Sequence, residues 1–185
     1  MKRLIAALLA GLTLFALVGC SAGSKADSAA PKDYSQILHD ARTDEENEYD
    51  MIFTKGEDGK FTAIDGYSAE YEAGQLDDEV RNLMMPLLNL EDDMYTDLAA
   101  SVSSMMVRSY AVAIVKPAEG KTQDVVDAMD AYVQGQQKSM EHYLEDQYQI
   151  AAAARVATVP TGEVVMVCCE DSDTVFENIK KALAA

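Results

Sequence analysis

The chain has 185 residues, with 15 Lys and Arg against 32 Asp and Glu and a formal net charge of −17 at pH 7, and its length suits about one domain. So acidic a protein repels phosphate backbones and anionic headgroups, which excludes nucleic acid as a partner. Two of its three cysteines, Cys168 and Cys169, are adjacent, which excludes a framework of long-range disulfides.

The first twenty residues have the pattern of a bacterial lipoprotein leader. A basic start precedes an uncharged run, Leu4 to Val18, that is shorter than the roughly 20 residues of a membrane span. The run ends in Leu17-Val18-Gly19-Cys20, which resembles the lipobox of bacterial lipoproteins. That resemblance implies cleavage of a signal peptide at 1–19 and transfer of diacylglycerol to the Cys20 sulfur, often with acylation of the new amino group. We expect Cys20 to anchor the protein at the extracytoplasmic face of the cell membrane.

The segment after Cys20 is polar and rich in small residues. Residues 21–32 offer little that a core could bury. We therefore predict a flexible tether over 20–45 and a single acidic extracytoplasmic domain over 46–185.

The first part of this domain carries a hairpin signal. Short β-prone runs at 51–54 and 60–64 flank Gly56-Glu57-Asp58-Gly59. These acids lack the spacing of an EF-hand loop, so a structural turn is favoured over a calcium site. Apolar residues recurring at three and four predict a helix over 77–90 that Pro86 kinks or ends. A second short helix is expected within 91–100.

From residue 101 the patterns indicate a hairpin followed by a helix, twice. The first hairpin joins strands near 102–106 and 110–115, and the second joins 155–159 and 164–169 around a Pro-Thr-Gly turn. A helix capped by Thr122 follows the first hairpin, and a short helix over 146–154 leads to the second.

These elements predict an α+β fold. It consists of a mostly antiparallel sheet built from hairpins, with the two longer helices, at about 122–144 and 172–184, packed on one face.

Several segments in the second half carry a family resemblance. They are Ala113-Ile114-Val115-Lys116, Gly120-Lys121, Tyr143 with Asp146-Gln147-Tyr148, and Gly162-Glu163-Val164-Val165. In this order and spacing, the chain from about Ser101 onward resembles a family of small lipoproteins of Gram-positive bacteria, described as domain of unknown function 4358. The resemblance implies a lipid anchor and an extracytoplasmic α+β domain, and it brings no catalytic residues.

Two motifs imitate known chemistry. Residues 115–122 are similar in outline to a phosphate-binding P-loop, but Val115 stands where the first glycine is required, which favours a turn and helix cap. Cys168 and Cys169 would point to opposite faces of a strand, which disfavours a shared redox or metal site and leaves their redox state open.

The histidines and methionine pairs give weaker signals. His142 and Asp146 share one helix face, where a solvated surface is a simpler interpretation than a divalent-ion site. His39 has no evident partner. Met84-Met85 and Met105-Met106 favour core filling over Cu(I) binding. We assign no catalytic, cofactor-binding or metal-binding residue.

The sequence favours a non-enzymatic binding module of the cell envelope, held in the membrane by Cys20. Its acidic domain would bind another envelope protein, a ligand or a cation. One alternative is an envelope hydrolase with a carboxylate acid/base pair, which would need a cleft with two converging, partly buried carboxylates. The other is a cation-binding lipoprotein that uses the acidic surface. No pattern indicates an oligomeric state.

Overall fold

A computed structural model describes residues 32–72 and 74–185, and in this part of the chain six strands form one antiparallel sheet in the order β2-β1-β3-β4-β6-β5. The strands are β1 (Ile52–Lys55), β2 (Phe61–Ile64), β3 (Tyr95–Val102), β4 (Ala111–Pro117), β5 (Arg155–Thr158) and β6 (Val164–Cys168). The helices are α1 (Tyr34–Ala41), α2 (Asp44–Tyr49), α3 (Gln75–Glu79), α4 (Met85–Leu88), α5 (Thr122–Met140), α6 (Glu145–Ala152) and α7 (Ser172–Ala184). A 3₁₀ turn (Ser68–Glu70) follows β2, and a π-helical turn (Val80–Met84) joins α3 to α4. The α+β class is confirmed.

The two long helices lie on opposite faces of this sheet, so their expected placement on one face is wrong. Alternate residues of the central strand β4 point to different cores, Ala113 to one and Ile114 to the other. The core that contains Ala113 includes Met129 of α5, whereas the core that contains Ile114 includes Ile179 of α7. Since both faces of the inner strands are apolar, each face needs a helix to cover it.

The segment 91–100 was expected to be helical, and this expectation is wrong. Tyr95–Val102 forms β3, between β1 and β4. Its alanines favour a helix by intrinsic propensity, but Ala99 and Ala100 are fully buried on the two faces of the sheet, and tertiary packing decides. The first hairpin of the second half therefore pairs β3 with β4, and the predicted strand at 102–106 is mostly loop.

The predicted tether over 20–45 extends too far, because the folded domain includes α1. Asp33 caps this helix by accepting a hydrogen bond from the backbone N–H of Gln36 at 3.1 Å. Tyr34, Leu38 and Ala41 recur at helical spacing and are buried against the sheet. The predicted signal peptide, Cys20 and the first part of the predicted tether lie outside the described residues.

The other predicted hairpins and helices are present with changes of boundary, and the predicted helix over 77–90 corresponds to α3, the π-helical turn and α4. Both turn-marked hairpins are present, as β1–β2 and β5–β6. Helix α5 ends at Met140 rather than 144, and Thr122 is its first residue instead of its cap, since Lys121 occupies the N-cap without a side-chain hydrogen bond. None of the helices in the described part of the chain is long and apolar enough to cross a membrane.

The two ends of the sheet differ in the contacts that they make. At the first, which we call the entry end, Lys32 Nζ donates to the carbonyl of Leu183 and Tyr34 donates from its hydroxyl to Glu163 Oε1 at 2.9 Å. Helix α1 then runs to the opposite end, the far end, where Arg42 meets Ser101 near the close of β3. Because β3 has eight residues, these ends are roughly 23 Å apart.

Candidate interaction surface

An exposed apolar loop lies at the far end. Residues 103–109 lie in the connection between β3 and β4 and are called here the methionine loop. Met105, Met106 and Val107 within it are 58%, 90% and 44% exposed. Met129, Met140 and Met166 are by contrast almost completely buried. A contiguous run of exposed apolar side chains commonly marks a contact surface, whereas single exposed ones do not.

The methionine loop has internal hydrogen bonds that define its shape. At its start, the backbone N–H of Ser103 donates to the carbonyl of Tyr110 at 3.0 Å. The N–H of Arg108 donates to the carbonyl of Met105 at 3.2 Å, which closes a tight turn around Met106 and Val107. The apolar side chains are therefore presented by an ordered turn.

Side chains from two other elements fix the loop from outside. Arg108 forms a two-pronged ion pair with Asp50, at 2.6 and 2.7 Å, and its guanidinium lies 4.3 Å from the centre of the Tyr110 ring. The hydrogen bond to Asp50 raises the pKa of Arg108. On the other side, the N–H of Ser109 donates to Gln147 Oε1 of α6 at 2.8 Å. The loop is thus held between the segment after α2 and α6.

A buried guanidinium supports this arrangement from below. The Arg42 side chain has no exposed surface and donates to Asn47 Oδ1, Ser101 Oγ, Tyr110 Oη and Asp65 Oδ2 at 2.9–3.1 Å. Burial raises the pKa of Tyr110, so this hydroxyl stays protonated. We call these five residues the Arg42 network; it joins α1, α2, the segment after β2, β3 and β4.

Asp65 also binds His39, whose Nδ1 lies 2.8 Å from Asp65 Oδ2. The His39 side chain is 40% exposed, and a carboxylate at Nδ1 is the orientation that a catalytic base requires. Among the described residues, however, no hydroxyl or thiol forms a hydrogen bond with His39. The pair can orient an imidazole, but it lacks the nucleophile that a triad needs.

Acidic side chains are exposed on α2 and near the start of α6, next to the residues that hold the methionine loop. Helix α2, which precedes Asp50, exposes Asp44, Glu45 and Glu48. The corner between α5 and α6, next to Gln147, exposes a second acidic set together with Tyr143, which is 70% exposed. The acids of this corner are Glu141, Glu145 and Asp146. The far end is therefore an apolar centre within an acidic rim.

The cysteines and the methionine pairs do not form a shared site. Cys168 and Cys169 are both free and buried, in the cores on opposite faces, as alternation in a strand predicts. Burial raises the pKa of the Cys168 thiol to about 12 and that of Cys169 further, so neither is a ready nucleophile. Met84-Met85 fills the core as predicted. Met105-Met106 does not, because the hairpin turns where a strand was expected.

The other predicted residues form no shared site. His142 is 89% exposed and lies 3.9 Å from Glu141, without a described contact to Asp146. Gly120 adopts a positive φ of 77° in the turn that was compared with a P-loop, and the helix after it begins without a side-chain cap. In the described residues, no group of three or more His, Cys, Asp or Glu side chains is placed to hold a metal ion.

An open groove of about 500 Å³ lies elsewhere, lined by Phe61, Arg81, Met85, Pro86, Asn89, Leu90, Glu91 and Asp92. Its two acids do not form a buried pair. The Asp92 side chain is 64% exposed and binds Lys55 at 2.8 Å, and this hydrogen bond lowers the pKa of Asp92. A general acid would need a raised pKa, so the groove offers no support for a carboxylate-pair hydrolase.

Sequence reasoning missed both parts of the candidate surface. The residues of the Arg42 network are far apart in the chain, and no periodic pattern connects them. The methionine loop did carry a signal: Met105-Met106-Val107 stands between the pair Ser103-Ser104 and Arg108, which is unusual for a strand.

Comparison with known proteins places the chain in a family. No curated protein and no solved structure matches it. A family model described as Domain of unknown function (DUF4358) matches residues 67–169, from the 3₁₀ turn region to the end of β6. The match includes β3, β4, α5, α6 and both strands of the last hairpin, and therefore the whole methionine loop. Since it spans more than half of the sequence, the chain belongs to the DUF4358 family.

Proposed function

We propose that this protein is a lipid-anchored binding module of the extracytoplasmic face, and that its methionine loop contacts another protein of the cell envelope. The observation that carries the binding role is the contrast within the loop. Asp50 holds the Arg108 side chain and Gln147 accepts from the Ser109 backbone N–H, yet Met106 at the tip of the loop is 90% exposed. Burying a methionine side chain in a partner contributes roughly 1.5–3 kcal/mol.

The anchor is supported by the sequence Leu17-Val18-Gly19-Cys20 after an apolar run. An acidic domain on a lipid anchor stays soluble above the membrane and is kept near other envelope proteins. Two acyl chains are needed for stable attachment, since one chain binds only reversibly. A diacylglycerol group on Cys20 would supply them.

The anchor is tested by metabolic labelling of the full chain with a palmitate analogue. We expect Cys20→Ala to abolish the label and release the protein from the membrane fraction, because no other acylation site is expected. Cys168→Ala is the matched control, and it should keep both the label and the membrane retention. Persistent label in Cys20→Ala would refute the anchor.

The binding role is tested by photo-crosslinking in living cells. A photoreactive amino acid replaces Met106 in the full-length protein, and in a control it replaces Leu83, an exposed apolar residue of the π-helical turn. We expect adducts with another protein from position 106 only. Absence of any protein adduct at 106 would refute the binding role.

A further inference from the structure

We infer that the partner of the methionine loop presents an apolar socket surrounded by lysine and arginine side chains. This inference rests on the proposed function, which it makes more specific. It is drawn from the charges at the far end, and it commits to a basic protein surface instead of a lipid surface or a second copy of the chain.

The acidic rim is the first step of the argument. Asp44, Glu45 and Glu48 on one side of the loop are exposed, and so are the acids at the corner between α5 and α6. The two arginines that hold the loop are already paired within the fold, Arg42 with Asp65 and Arg108 with Asp50. Lys138 and His142 are the exposed basic residues nearest the α5–α6 corner in sequence. The far end therefore carries uncompensated negative charge.

This charge selects among possible occupants. A second copy would bring two acidic rims together around one apolar centre, and like charges across an interface cost several kcal/mol. An anionic membrane surface is repelled for the same reason. A protein surface with an apolar socket and a cationic border complements both the apolar centre and the acidic rim. The negative field of the rim also increases the association rate of such a partner.

The position of the loop allows such a complex on an anchored protein. The chain enters the domain at the entry end, where Lys32 contacts Leu183. The methionine loop lies at the other end of the sheet, roughly 23 Å away. A partner bound there leaves the contact between Lys32 and Leu183 at the entry end undisturbed.

The test uses the full-length protein with the photoreactive amino acid at position 106 and reverses charges on the rim. In Glu45→Lys/Glu48→Lys we expect the yield of the protein adduct to fall about tenfold, since each rim charge affects mainly the association rate. Glu57→Lys/Glu119→Lys is the matched control, because both residues are exposed in turns near the entry end and the net charge changes equally. We expect this control to keep its yield.

A second variant guards against local unfolding of α2. Glu141→Lys/Glu145→Lys changes the opposite side of the rim and should give the same loss. In isolated membranes, the unaltered protein should lose adduct between 50 and 500 mM NaCl, because the screening length falls well below 10 Å. Sequencing of the crosslinked peptide should show apolar residues of the socket, flanked by lysine or arginine.

The outcomes separate the inference from the proposed function. A protein adduct that survives all charge reversals, or that maps to an acidic peptide, overturns the inference and leaves the binding role intact. Adducts only with lipid, or only with another copy of the chain, overturn both, because the occupant is then a membrane or a dimer. Absence of any adduct also overturns both.

Discussion

Replacing Arg42 by methionine removes the guanidinium around which the far end is organised, and the structure predicts a large loss of stability. The side chain is fully buried, and its four acceptors lie on four different segments of the chain. Methionine keeps much of the length of the stem, so the substitution tests the charge and the hydrogen bonds more than the packing.

The size of the stability loss follows from the buried groups that lose their hydrogen-bond partner when Arg42 is replaced. The buried hydroxyls of Ser101 and Tyr110 each lose a donor, at a cost of about 1–3 kcal/mol for a group left unsatisfied. Asp65 loses its buried ion-pair partner but keeps His39 and is itself 15% exposed, which reduces the penalty. Because these terms are not additive, we expect the free energy of unfolding to fall by about 3–5 kcal/mol, the range for breaking a buried ion pair.

Urea denaturation of the unlipidated protein that begins at residue 20 and carries Cys20→Ala measures this loss. Arg155→Met is the matched control. Arg155 also has an acidic partner, Asp173 at 3.0 Å, and stacks on Phe176, but its side chain is 36% exposed, so we expect a loss of about 1 kcal/mol or less. Equal losses in the two variants would refute the argument that burial makes the Arg42 network costly to break.

Two further predictions concern the backbone and the thiols. Gly66→Ala should lower the free energy of unfolding by about 2 kcal/mol or more, because φ is 49° and a Cβ would lie 2.6 Å from the backbone nitrogen of Met51. Gly135→Ala is the comparison in the same urea assay. A Cβ at this position of α5 would meet open space, so the substitution should raise the free energy of unfolding by about 0.5–1 kcal/mol. Burial raises the pKa of Cys168 to about 12, so the folded state favours the protonated thiol. The contribution of this thiol to the free energy of unfolding is complete below about pH 8.5. It falls by about 1.4 kcal/mol per pH unit between pH 8.5 and pH 12, because the thiol of the unfolded chain ionises there and the buried thiol does not. Urea midpoints at pH 7 and pH 10 should show this fall, and a smaller one in Cys168→Ala; a midpoint independent of pH would contradict the burial of the thiols.

Local conformational preference made part of the fold predictable. The turns at Gly56–Gly59 and at 160–162 were predictable because glycine permits, and proline imposes, backbone angles typical of turns in any sequence context. The apolar stripe of α7 was readable for a similar reason, since helical spacing is a property of neighbouring residues. The face of the sheet that each helix covers depends on contacts between distant segments, and this part was predicted wrongly.

The two methionine pairs show the limit of prediction from local sequence patterns. Met84-Met85 and Met105-Met106 are the same dipeptide, yet the first pair is buried and Met106 is 90% exposed. The first pair lies in a helical segment whose apolar period indicates a buried face. Whether Met105-Met106 is buried depends on where β3 ends. The pairing of β3 with β1 and β4 determines that point, and no local sequence pattern specifies this pairing.

Tyr110 connects the part of the molecule that determines stability to the part proposed to bind. Its hydroxyl accepts a hydrogen bond from Arg42 at 3.0 Å, and its ring packs against the guanidinium of Arg108. Its carbonyl accepts a hydrogen bond from the N–H of Ser103 at the start of the methionine loop. The same carbonyl accepts from the hydroxyl of Tyr132 in α5 at 2.9 Å. A change in the Arg42 network therefore reaches the loop through one residue that is itself fixed from both faces of the sheet. Since a preorganised loop loses little conformational entropy on binding, the buried polar contacts would stabilise the fold and the proposed complex together.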